Sequence, residues 1–164
     1  MKVTSLPINP FTYSLLHKVN AKILEWDLEP LVGKALYSKH HSAGYLELKM
    51  YFDKQNEYSK NEIIWNIPDY PIAVETINYK LEIQEGLSAF IKYMSALRGE
   101  SMYLTFEIND IAFDITSTMK RPFENATIYA LISCFDKEII PFSEERIKGM
   151  KDTTAWLLER NEPF

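Results

Sequence analysis

A chain of 164 residues and 19.2 kDa, 46% hydrophobic, 25% charged and 13% aromatic, carries enough apolar side chain to offset the entropy of ordering, which excludes a disordered or low-complexity protein. Its length suits one domain, residues 1–164, rather than two. Eighteen Lys and Arg against twenty-three Asp and Glu leave a net charge of -5. That is the wrong sign for nucleic acid bound through a general phosphate field, so basic partners are favoured.

The single cysteine, Cys134, precludes an internal disulfide framework and suits a reducing compartment. The N-terminal stretch has no apolar run of signal-peptide length, and no segment approaches the roughly 20 apolar residues that cross a bilayer. A soluble cytoplasmic protein with no membrane contact is expected. The triplet Asn125-Ala126-Thr127 fits a glycosylation acceptor, but without secretion it reads as the entry to a strand.

In chain order, Leu15, Leu16, Val19, Ile23 and Trp26 recur at helical spacing and predict one amphipathic helix over 12–27. Two strands follow, over 31–38 and 45–52, joined by the polar stretch 39–44. Ile63, Ile64 and Ile67 mark a third strand that stops near Pro68 and Pro71, because proline lacks the amide a ladder needs. Ile77, Tyr79, Leu81 and Ile83 alternate as a half-buried fourth strand would. Leu87, Phe90, Ile91, Met94 and Leu97 then fall on one helical face over 85–98, with Gly99 where a left-handed cap is expected.

The clearest alternation runs from Met102 to Ile108 and from Ile111 to Thr116, with Asn109 and Asp110 between them. Placing that pair at the centre of a tight turn predicts a hairpin, Ile108 opposite Ile111, Phe106 opposite Phe113 and Leu104 opposite Ile115. The apolar run 126–135, carrying Ile128, Ala130, Ile132 and Cys134 on one side and Tyr129, Leu131 and Phe135 on the other, predicts an inner strand covered on both faces. Ser143 with Glu144 and Glu145 opens a last helix ending near Arg160, its inner face drawn from Ile147, Met150, Thr154, Leu157 and Leu158, with Trp156 toward an edge. The expected fold is α+β, a mostly antiparallel sheet of about six or seven strands with three helices.

Catalytic motifs are scarce. His40 and His41 invite a metal or acid/base reading, but adjacent histidines on an exposed connection are ordinarily solvated, and one cysteine with His17, His40 and His41 barely reaches the four ligands of a structural zinc site. No Gly-x-Ser-x-Gly elbow, Gly-x-Gly-x-x-Gly turn or Gly-Lys-Ser/Thr loop is present. Cys134, flanked by Ile132, Ser133 and Phe135, reads as core rather than nucleophile. Neither metal, cofactor nor catalytic residue is assigned.

One feature stands out in the charge pattern. Between Arg98 and Lys120 lie four acids, Glu100, Glu107, Asp110 and Asp114, and no base. In the hairpin register Tyr103, Thr105, Glu107 and Asp114 project away from Phe106 and Phe113, as an acidic face with an aromatic at one end. Tyr45, Glu47 and Tyr51 form a similar row, tempered by Lys49, and if the two strands lie side by side the patch doubles. An antiparallel sheet ordinarily has one solvated polar face, and that is the competing explanation. The functional expectation is a small acidic binding protein without catalytic activity, comparable in size and charge to immunity proteins and antitoxins, that neutralises a basic protein partner such as a toxin domain. The alternative is an enzyme or small-ligand binder with a pocket between sheet and helix, using His40 or His41.

Overall fold

A computed structural model describes residues 10–39, 42–53, 60–70, 78–115 and 122–159. Among them the fold is α+β, as expected, but built from one four-stranded sheet and five helices rather than six or seven strands and three helices.

The N-terminal apolar stripe is buried as its spacing predicts, on two helices instead of one: α1 (Pro10–His17) and α2 (Asn20–Glu25). Between them Lys18 N–H and Val19 N–H bond back three residues, to Leu15 and Leu16 carbonyls, which tightens the turn and redirects the chain. β1 (Leu31–Lys39) and β2 (Ser42–Tyr51) pair antiparallel as expected; His40 and His41, between them, lie outside the described residues. β3 (Glu62–Trp65) is the third predicted strand.

The alternation over 77–83 does not make a strand. Asn78 caps a long helix, α3 (Tyr79–Arg98), its side chain accepting from Leu81 N–H at 3.1 Å. Tyr79 and Ile83 are four residues apart and satisfy a helical face as well as an alternating one; only Leu81 distinguishes the two, and it is 46% exposed. Gly99 ends α3 in the left-handed conformation, φ 73°, where the sequence places it.

The predicted hairpin is likewise a single strand, β4 (Thr105–Ile115), running unbroken through Asn109 and Asp110. Against β2 it pairs Glu47 with Asp110 and Leu48 with Ile108, so Asn109 is the extra residue of a β-bulge. The bulge resolves the parity that suggested a turn. Ile108 and Ile111 are three apart, which regular alternation would send to opposite faces, and the inserted residue returns both to the inner face.

The run 126–135 is helix, not strand: α4 (Pro122–Phe135) is buried on nearly every side, including Asn125's neighbours Glu124 and Ala126. An all-round apolar segment has the same pattern in a buried helix or a two-sided strand, and here tertiary burial selects the helix, opened by proline at its first position. Asn125 sits in this helix rather than at a strand entry, accepting from Thr12 Oγ1 at 2.8 Å. The last helix, α5 (Glu144–Glu159), begins where Ser143 predicts, Ser143 Oγ accepting from Arg146 N–H, and buries Ile147, Met150 and Thr154; the side chains of Leu157 and Leu158 lie outside those described.

The sheet order is β1-β2-β4-β3, antiparallel except for the parallel β3/β4 pair that α3 connects. The inner face, with Ala35, Leu46, Leu48, Met50, Phe106, Ile108, Ile111 and Phe113, packs on α4 and with α1, α2 and α3 forms the main core. Gly33 lets β1 approach α4: a Cβ there would lie 2.1 Å from the Ala130 carbonyl oxygen. Among the described residues α5, with Phe142 just before it, packs on the opposite, outer face.

Candidate functional site

The register brings the two expected rows together. Tyr45, Glu47, Lys49 and Tyr51 of β2 stand opposite Ala112, Asp110, Glu107 and Thr105 of β4, all on the outer face, with Ala43 opposite Asp114 at the far end. Both the imagined turn and the observed bulge keep Glu107 and Asp114 on the side away from Phe106 and Phe113, so the face survives the loss of the hairpin. Tyr103 precedes β4 and is 39% exposed.

α5 divides this face. Over one half, Ile147 and Met150 pack on Ala43, Tyr45 and Ala112, with Leu36 and Phe142 at the margin, so Tyr45 is 1% exposed and belongs to a second small core rather than to a free surface. Full burial of the two α5 side chains stabilises by about 1.5–3 kcal/mol each. Lys151, on the same flank of the helix, places Nζ 2.9 Å from Asp110 Oδ2 and 3.9 Å from Glu47 Oε1, and 5.2 Å from the centre of the Tyr45 ring. Tyr45 Oη donates to Glu47 Oε1 at 2.5 Å. Burial, then the Glu47 carboxylate, holds the Tyr45 phenol proton well above its ordinary range. The Asp110 hydrogen bond raises the Lys151 ammonium above the usual lysine value against a smaller desolvation effect. Thr154 fixes the far end, its hydroxyl accepting from Phe113 N–H at 3.1 Å.

No described helix covers the other half, which is open at Val32 and Ile64. A row crosses all four strands from Val32 through Lys49 and Glu107 to Ile64, with Val32 56% and Ile64 40% exposed. Lys49 Nζ is 4.0 Å from Glu107 Oε2 and lies over the Tyr51 ring at 5.4 Å. Asn66 Nδ2 donates to Glu107 Oε1 at 3.3 Å and to Asn109 Oδ1 at 2.9 Å, tying β3 to the bulge. Burial and a hydrogen bond to Glu107 both raise the Tyr51 phenol pKa. Thr105 is buried beside them, and its hydroxyl has no hydrogen-bond partner among the described residues. A cavity of about 370 Å³ at the boundary of the two halves is lined by Val32, Lys34, Glu47, Asn109 and Phe142 on the outer face and by Ser133 at the edge of β1.

The expected acidic field is therefore partly internal. Glu47 and Asp110 share Lys151, Glu107 meets Lys49, and the exposed ion pairs contribute little individually. The sequence reading missed Lys151, Val32, Ile64, Asn66 and Asn109. Lys151 carried a local signal: it lies four residues after Ile147 and beside Met150, which sets it on the edge of the buried stripe.

Among the described residues no group of three or more His, Cys, Asp or Glu could hold a metal ion, and no helix is long and apolar enough to cross a membrane. The Cys134 thiol is buried and pushed up to about 12 by desolvation, the opposite of an activated nucleophile. Set beside known proteins, the chain matches no family model, no curated protein and no solved structure.

Proposed function

We propose that this is a small intracellular binding protein without catalytic activity that neutralises a basic protein partner through the outer face of its sheet, in the manner of immunity proteins and antitoxins. The observation that carries the reading is the convergence of Glu47 and Tyr51 with Glu107, Asp110 and Asp114 on one face of adjacent strands, Tyr51 and Glu107 lying on the half that α5 does not cover. The contact begins on the open half, where Tyr51, Val32 and Ile64 supply apolar area beside Lys49 and Glu107. Because Lys49 and Lys151 already answer part of the negative charge, contact rather than long-range attraction carries most of the affinity. Affinity capture from the native cell with the wild-type chain and the double variant Glu107→Lys, Asp114→Lys tests it. A stoichiometric basic protein held by the first and released by the second is expected; equal retention of every partner by both ends the reading.

A further inference from the structure

We propose that the covered half of the outer face is a receptor for a lysine-bearing amphipathic helix, occupied in cis by α5 and taken over by a partner's helix of the same chemistry. The inference rests on the binding reading above and names its partner class.

Three observations converge on it. The cluster beneath α5 is separate from the main core, and no described residue of α5 joins that core, so the sheet keeps its packing on α4 when α5 lifts. What α5 presents is a compact recognition pattern: apolar Ile147 and Met150 three residues apart, a lysine next to the second, and a hydroxyl at Thr154 that reaches a strand amide. Such anchors at i, i+3, i+4 and i+7 are how helices dock in grooves generally. Finally, among the described residues one ammonium, that of Lys151, serves two carboxylates, Glu47 and Asp110, with Asp114 a further position along β4, so a helix carrying a second cation one turn beyond the lysine complements these residues better than α5 does. Binding in trans competes with a tethered segment whose effective concentration is high, which keeps the face closed until such a helix arrives.

The test uses the full chain and a fluorescent synthetic peptide of residues 141–159. In the Lys151→Glu chain, the cis helix sets a third carboxylate against Glu47 and Asp110, while the peptide retains its lysine. The peptide is expected to bind that chain at least about tenfold more tightly than wild type, and a peptide itself carrying Lys151→Glu is expected to bind neither. In the wild-type chain the amides of α5 are expected to exchange with solvent faster than those of α4, by a local opening that leaves the sheet protected; equal protection of the two helices counts against the inference. Should Lys151→Glu fail to fold by circular dichroism, Met150→Ala, which trims a contact without repulsion, takes its place. Failure of the native peptide to bind the loosened chain overturns the inference. If capture is still lost in a single Glu107→Lys variant, the open-half reading stands without it; if the peptide binds but capture is indifferent to that change, the reverse holds.

Discussion

Lys151 is the residue on which the outer face turns. Its ammonium is raised by Asp110 and lies on a 40% exposed side chain, so solvent screening holds its contribution to about 1 kcal/mol or less. Because the folded value exceeds the unfolded one, that contribution is complete below the ordinary lysine value of 10.5 and disappears as pH climbs through the raised value. Lys151→Met is therefore expected to speed exchange of α5 amides near neutral pH, and the difference from wild type should vanish at strongly alkaline pH. Cys134 gives a second alkaline signature. Its thiol rises from 9.0 to about 12 on burial, so stability is intact below 9.0 and falls between those limits, where only the unfolded thiol ionises. In urea titrations over that window Cys134→Ala should flatten the decline, and a thiol reagent should label the wild-type chain only on unfolding.

At the level of elements, β4 offers the sharpest contrast between sequence and structure. A hairpin would gain from Asp110→Gly, since Asn-Gly is a better turn pair than Asn-Asp. A strand loses by it, through glycine's entropy in an extended segment and the loss of Lys151's partner. Asp110→Gly is expected to cost at least about 0.5–1 kcal/mol of stability, seen as a lower midpoint in thermal unfolding; a higher midpoint contradicts the bulged strand. Gly33→Ala drives a methyl into the Ala130 carbonyl and should cost about 1–3 kcal/mol or more, because the obstacle is helix backbone. Asn78→Ala removes the α3 cap at about 1 kcal/mol, which would be absent if 77–83 were a strand.

These elements also show what a sequence carries. The first two strands, the Gly99 cap and the start of α5 were legible because each has a local cause: alternation, a left-handed residue, a serine before two acids. The face shared by Glu107 and Asp114 was legible because parity, not the turn, determines it. α4 was not, since a segment apolar all round has no period to read, and neither was the start of α3, where Tyr79 and Ile83 satisfy both periods. The pairing of Lys151 with Asp110 spans forty-one positions of sequence and depends on how α5 crosses the sheet.

For the whole molecule, the sheet separates two kinds of interior. One side is a continuous core in which α4 is enclosed by the sheet and the other helices, and it accounts for most of the buried apolar surface. The other is a small cluster under α5 beside an open stretch of tyrosine, aliphatic and paired charge. That asymmetry concentrates tolerance to change, and the capacity to bind, on the outer side. Neutralising lysines from the same chain lower the field, so the affinity for a basic partner should fall only modestly with added salt; a steep loss would point to bare electrostatic attraction.

Hydrogen exchange on the purified complex with whatever basic protein the chain retains is the most direct test. New protection should fall on the outer-face amides around Val32, Lys49–Tyr51, Ile64 and Thr105–Glu107. Protection confined to the outer surfaces of α2 and α3, with those strands unchanged, would contradict the account.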